Sequence, residues 1–327
     1  MPLLVSFISG FLPMLFFAWI LYWLDRYEKE PKLLLGAVFL WGAIFAAGSA
    51  FIINTILGLG IFLFTGSEIA TDFATGSLIA PFVEEILKGL AVLTVFLVIH
   101  REFDSILDGI IYASVTALGF AATENTYYIY MYGFHESGWV GIWSMLFVRV
   151  FLVGWQHPFY TSFTGIGLAI SRMTRANWQK ISTPIVGFSL AVFSHSIHNT
   201  ISTIFTGLTG LTISTVFDWT GWIFMFFIIL WVIQKEKIHL VTYLKDEVNL
   251  GTISMGHYQT AISARSQSST RFSAIFKGTY KNTHRFYSLC GELAHKKNQF
   301  TKMGDEDGNE KIIRDLQIEL ARLDPLI

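Results

Sequence analysis

SLIAPFVEEILKGLAVLTVFLVI, residues 77–99, is a 23-residue, almost unbroken apolar stretch that nevertheless holds two carboxylates and an ammonium group, Glu84, Glu85 and Lys88. About 20 apolar residues are needed to cross a hydrocarbon core of ~30 Å, so its length is that of a membrane-spanning helix. An ionisable side chain at that depth costs at least ~2.5–3.5 kcal/mol on the most forgiving scale. The stretch therefore predicts both a membrane helix and a chemical reason for placing charge inside it.

Six further apolar stretches accompany it, at 3–24, 33–58, 106–131, 142–170, 183–206 and 217–234. The stretch at 142–170 is longer than a span requires, which predicts a tilted helix or one that begins at the interface. Composition agrees: of 327 residues, 53% are hydrophobic, 16% aromatic and 14% charged, the last about half the share usual in soluble domains. Residues 1–234 carry 22 Lys, Arg, Asp and Glu, while residues 235–327 carry 25. The expected architecture is all-α: a polytopic transmembrane domain over 1–234 with about seven helices, followed by a helical cytoplasmic tail over 235–327. A net charge of −1 excludes a broadly basic nucleic-acid binder, leaving the lipid bilayer as the expected medium. The one cysteine, Cys290, excludes an intramolecular disulfide and a thiolate metal cluster. The first stretch is not expected to be a cleaved signal peptide, because no Lys or Arg precedes it and DRYEKEPK follows it.

Loop charge predicts orientation. Of the nine Lys and Arg in residues 1–234, seven lie in Arg26 to Lys32, at Arg101, or in Arg172 to Lys180, and the loops near 59–76, 132–141 and 207–216 have none. By the positive-inside rule the N-terminus is outside and the tail is cytoplasmic. In the tail, apolar residues recur at helical spacing in Phe286, Leu289, Leu293 and in Ile312, Leu316, Leu320, Leu323, separated by polar loops such as GDEDGN at 304–309. This predicts a small helical bundle, either packing against the membrane face or serving as a regulatory or docking module.

Four neighbouring stretches carry buried polar groups: Glu84, Glu85 and Lys88; Glu124 and Asn125; Arg149 and His157; and His195, His198 and Asn199. At ~1.5 Å per residue, Glu84 and Glu124 fall roughly 10 Å, and His195 roughly 15 Å, below the outer ends of their helices, with His157 deeper. Glu84 and Lys88 are four apart and share a face, with Glu85 about 100° away. His195, His198 and Asn199 can face one cavity. Pro81 can start or kink its helix and leave both glutamates near a positive helix end. Carboxylates, imidazoles and an amide are the parts needed to activate water and hold an oxyanion. Structural alternatives exist for several: a buried Glu85–Lys88 pair, His198 as a wall residue, Arg149 reaching the headgroups, and Asp104 and Asp108 as helix caps.

At these residues the chain resembles the PrsW family of intramembrane proteases. The resemblance runs through YWLDRYEKEP (22–31), EEILK (84–88), DGIIYASVTALGFAATEN (108–125), HPFYTSFTG (157–165) and HSIHN (195–199), and covers roughly residues 15–205. It implies hydrolysis of a peptide bond in or near the membrane, in a fold related to the CAAX prenyl endopeptidases, with some members acting on membrane-spanning anti-sigma factors. It implies that Glu84 or Glu85 activates water and that Glu124, His157, His195 and Asn199 complete the site. Where the prenyl-protease relatives place a His four residues after a Phe, this chain has Phe120 followed by Glu124.

Two chemistries follow. In one, His157, His195 and Glu124 hold Zn²⁺ with Glu84 as general base, as the family's metalloprotease label implies. In the other, Glu84 takes the proton from water directly while His157, His195 and Asn199 polarise the carbonyl. The sequence has no HExxH spacing. The competing class is an ion- or proton-coupled transporter or channel, since buried Glu and His also build ion paths. Against it stand the lack of an internal repeat and the clustering of the polar groups in four adjacent helices.

Overall fold

A computed structural model of the chain describes residues 1–27, 29–305 and 308–327, so Glu28 of the DRYEKEP run and Glu306 and Asp307 of the GDEDGN loop lie outside the described residues. Among the described residues there is no β-strand. The chain divides into two compact units, Met1–Tyr22, Pro31–Arg172 and Trp178–Phe227 forming the first, and Trp23–Glu30, Met173–Asn177 and Ile228–Ile327 the second.

The helices are α1 Pro2–Leu24, α2 Lys32–Leu40, α3 Ala47–Thr65, α4 Glu68–Ala74, α5 Ala80–Val98, α6 Ile106–Tyr128, α7 His135–Leu146, α8 Gln156–Arg172, α9 Asn177–Ile204 and α10 Gly207–Asn249. They are followed by α11 Met255–Ala261, α12 Ala264–Phe276, α13 Tyr280–Met303 and α14 Asn309–Leu323. Among the described residues, four stretches are long and apolar enough to cross a membrane by length and composition: Pro2–Leu24, Lys32–Thr65, Ile106–Arg172 and Gly207–Asn249. Leu4, Phe7, Leu15 and Trp19 on α1 are exposed, an apolar surface that suits lipid contact.

Helix α6 is the axis of the first unit. Ser105 caps it: its hydroxyl accepts from the Asp108 N–H at 3.2 Å, and the Asp108 carboxylate accepts from the Ser105 N–H at 2.6 Å, the reciprocal pairing of a capping box. Asp108 is thus a capping residue, and the Asp104 N–H donates to the same carboxylate at 2.9 Å. From Leu107 to Ala122 nearly every α6 residue is buried. A Cβ on Gly109 would lie 2.3 Å from the Gly165 carbonyl oxygen and one on Gly165 1.9 Å from that of Gly109, so α6 and α8 meet backbone to backbone.

Two departures from the expected helices matter to the site. Upstream of Pro81 the helix does not begin afresh; α4 runs through a π-helical turn at Thr75–Ile79 into α5. Proline has no N–H to bond the carbonyl four residues back and its ring crowds that group, and a local widening of the ladder accommodates it. The stretch at 142–170 is not one helix. After a π turn at Phe147–Leu152 the backbone leaves helical geometry at Val153 (φ −123°, ψ 14°), and α8 starts at Gln156. A Cβ on Gly154 would sit 2.1 Å from the Val150 carbonyl oxygen, and Pro158 falls in the first turn of α8, where its missing N–H costs nothing. His157 is therefore at a helix start, not deep along a continuous span.

In the second unit Phe286, Leu289, Leu293, Leu316, Leu320 and Leu323 form a core with Tyr27, Leu240 and Leu244, against which Ile312 packs. Arg285 and Glu319 tie α13 to α14 through paired bonds of 2.9 and 3.0 Å. Cys290 lies inside this core, and burial pushes its thiol well above the ordinary range.

Candidate active site

α5, α6, α8 and α9 bring their ionisable side chains to one place. Glu85 and Lys88, both fully buried, form an ion pair at 2.5 Å. The i,i+4 face expected to join Lys88 to Glu84 is not used; an i,i+3 rotamer takes the ammonium to Glu85 instead. The same Glu85 Oε1 lies 3.0 Å from His195 Nδ1, and Oε2 accepts from the Thr161 hydroxyl at 2.8 Å. A carboxylate accepts only, so this contact assigns the proton of neutral His195 to Nδ1 and leaves the Nε2 lone pair free. Nε2 points to Glu84, 3.8 Å from its Oε2.

Glu84 differs from its neighbour. Its Oε2 is buried with no hydrogen-bond partner, an unusual state for a buried carboxylate. Glu124 is engaged twice, pairing with the Arg149 guanidinium and lying 2.8 Å from His157 Nε2. Arg149 is thus part of the cluster rather than a headgroup anchor; its Nε also donates to Asn125 at 2.9 Å, and its guanidinium lies over the Tyr128 ring at 4.4 Å. His157 Nδ1 is 3.5 Å from the Lys88 ammonium, which itself sits 4.6 Å above the Phe120 ring.

Of the residues expected to form the site, Glu84, Glu85, Glu124, His157 and His195 converge. Asn199 does not join them: its amide donates at 2.8 Å to the Gly76 carbonyl in the π turn before α5. For a metal, the ligand atoms that gather around one point are those of Glu84 and the two imidazoles, while Glu124 is committed to Arg149 and His157 Nε2. Ligand atoms of Glu84, His157 and His195 all come within 4.8 Å of one another. The unpartnered Glu84 oxygen and the Glu85-anchored His195 suit a divalent cation, since a metal-ligating His ordinarily gives its other N–H to a carboxylate.

Sequence reasoning missed Asp218, a 3% exposed acid on α10. It accepts from the Tyr160 hydroxyl at 2.5 Å and lies 2.8 Å from His198 Nδ1. The Tyr160 ring in turn stacks on His195 at 5.0 Å. The available signal was an acid at the second position of the last apolar stretch.

Glu84 and Glu124 both open onto a cavity of about 650 Å³ between α3, α4, α5 and α6, walled otherwise by apolar and hydroxyl side chains such as Ala47, Ala50, Phe51, Thr75 and Tyr127. A helical membrane protein with a carboxylate–imidazole centre set inside its bundle is the class that this fold and site define. The family comparison makes it specific. The chain belongs to the PrsW family, whose model, described as PrsW family intramembrane metalloprotease, matches residues 30–232.

Among curated relatives, the chain is similar to Protease PrsW of Geobacillus kaustophilus (strain HTA426), 34% identical over 105 residues, which are 32% of this chain and 43% of that protein. It is similar also to Protease PrsW of Clostridioides difficile (strain 630), 36% identical over 106 residues, 32% of this chain and 42% of that one. Protease PrsW of Oceanobacillus iheyensis is 31% identical over 102 residues, 31% of this chain and 42% of its own length. The matches span less than half the length of these relatives. No solved structure matches the chain.

Proposed function

We propose that this chain is a membrane-embedded peptidase that hydrolyses a bond in or near the membrane-spanning region of a protein substrate, with the anti-sigma factors of some family members as the model substrate class. The observation that carries the reading is the buried, unpartnered oxygen of Glu84, a residue that lines the cavity, 3.8 Å from His195 Nε2. That separation is too long for a direct hydrogen bond, which leaves the carboxylate oxygen and the Nε2 lone pair both available to a water admitted with the substrate. Glu84 takes a proton from this water as it attacks the substrate carbonyl and passes it to the departing amine. His195, fixed by Glu85 and stacked on Tyr160, orients the water. Lys88 and Arg149 hold Glu85 and Glu124 as fixed carboxylates around it.

Glu84, His157 and His195 are the residues that would hold a zinc ion, a two-imidazole, one-carboxylate set of the kind found in zinc hydrolases. Bound there, the ion supplies Lewis acidity toward a carbonyl oxygen. Glu124, on the same cavity wall, is then the carboxylate left to accept the proton. Purified protein is expected to carry about one zinc per chain by elemental analysis, to lose activity to a strong chelator and to regain it with added zinc. A metal-free preparation with full activity would set this ligand set aside in favour of Glu84 acting alone.

Seven crossings, with the N-terminus outside and the tail in the cytoplasm, are the proposed topology, supported by the alternation of basic and uncharged loops. An impermeant thiol reagent added from outside is expected to label His135→Cys and Thr212→Cys, both exposed positions, and to spare Asn177→Cys. Cys290, buried with a raised thiol pKa, gives no background. The reverse labelling pattern would invert the topology.

A further inference from the structure

Helix α12 of the second unit wears its apolar side chains outward. At about 100° per residue, the two residues it buries, Gln267 and Ala274, fall together on one side. Its three largest apolar side chains fall on the other, within an arc of about 100°: Phe272 is 64% exposed, Ile275 54% and Phe276 78%. A helix packed on a soluble bundle does the reverse, turning Phe and Ile to the core and Gln outward. Exposed Arg265 lies on the same arc, and exposed Lys277 and Lys281 follow it. Residues 248–291 contain five Lys and Arg and no Asp or Glu, whereas residues 292–327 contain six and eight. Of those five cations, Arg285 is bonded to Glu319 on α14; the other four lie on α12 or just after it.

The neighbours of α12 carry the same combination. Ala264 and Ser268 share a cavity of about 160 Å³ with Trp23, Arg26 and Lys29. Trp23 stands in the last turn of α1, a helix long and apolar enough to cross a membrane, and the Arg26 guanidinium lies 4.6 Å over its exposed ring. Asp25 and Glu30 nearby are buried instead. Tryptophan and basic residues at the end of an apolar helix mark the headgroup level of a bilayer, so α12 starts at that level.

Whatever covers this face must offer hydrocarbon and negative charge side by side. An anionic phospholipid surface does so, with acyl chains directly beneath phosphates. A helix lying in that plane sinks its apolar face to the headgroup–acyl boundary, and the long stems of Arg and Lys carry their charges back to the phosphates. A second copy of this chain would instead set the same cations against each other.

We propose that α12 is an interfacial anchor that docks on anionic phospholipid, with Phe272, Ile275 and Phe276 among the acyl chains and Arg265, Lys277 and Lys281 on the phosphates. The anchor is independent of the peptidase chemistry proposed above. It needs only an anionic leaflet, which is the one that faces the cytoplasm.

The test is lipid contact, measured apart from cleavage. Ser269→Cys, an exposed position on the outward arc, carries an environment-sensitive fluorophore on the full chain, reconstituted at one chain per lipid nanodisc so that no second copy can cover the face. Cys290 is buried and takes no label. Quenching by a spin-labelled lipid reports contact with acyl chains. It is expected in discs holding about one-third phosphatidylglycerol and largely absent in discs of phosphatidylcholine alone. Arg265→Gln, Lys277→Gln and Lys281→Gln are each expected to lower the docked-to-undocked ratio about fivefold, and Phe272→Ser and Phe276→Ser each by about tenfold or more. Equal quenching in the two kinds of disc overturns the recognition of anionic lipid. No quenching in either overturns the anchor and leaves the face to an acidic protein, and unchanged quenching in the Ser variants overturns it as well. Should a variant misfold, the comparison of the two lipids on the labelled parent still decides. A chain that docks but cuts no substrate fails as a peptidase and stands as an anchor.

Discussion

Glu84→Gln lowers cleavage of a co-expressed single-span reporter by about 10²–10⁴-fold, the range for loss of a general base, while the protein still inserts and purifies as wild type. The size of the effect follows from what Glu84 does not do. Its Oε2 bonds no other side chain, and His195 Nε2 stands 3.8 Å away, so an isosteric amide removes basicity without freeing a partner. Glu85 provides the contrast, since it holds Lys88, His195 and Thr161 together. Glu84→Gln turning over the reporter at the wild-type rate would move water activation to another residue.

Lys88→Met costs about 3–5 kcal/mol of stability, because it strips the counter-ion from a fully buried carboxylate. Adding Glu85→Gln restores most of the loss by removing the stranded charge, although the double variant is inactive. The pair is thus read as a double-mutant cycle on denaturation in detergent, where two touching residues couple strongly. If the single variant were as stable as wild type, or the double variant no better than the single, Glu85 would not be the ammonium's partner.

How much of this was legible beforehand depends on which physical effect spoke in the sequence. Glu84, Glu124, His157 and His195 stand out because charge and imidazole inside apolar stretches are costly, and the structure gathers all four. Spacing fixes which residues share a face but not which rotamer wins: Lys88 reaches Glu85 rather than Glu84, and Asn199 turns to the Gly76 carbonyl, which no periodicity anticipates. The break at 153–155 is invisible to hydropathy, because Val153, Gly154 and Trp155 continue an apolar run, and only the close approach at Gly154 reveals it. Asp218 was hidden by its position at the edge of an apolar stretch, where an acid ordinarily faces water.

The glycine contact between α6 and α8 divides the molecule into parts with unequal freedom to vary. With carbonyl oxygens about 2 Å from where a side chain would begin at Gly109 and Gly165, neither position accepts even alanine without forcing the two backbones apart. Those backbones carry Glu124 and His157. Across the cavity, α3 buries only Ala50 and Gly58, and α4 buries nothing among its described residues. Mutational drift and laboratory selection therefore meet a fixed wall on one side and a pliable one on the other. A library aimed at new substrates belongs on α3 and α4, where changes can accumulate without disturbing the chemistry.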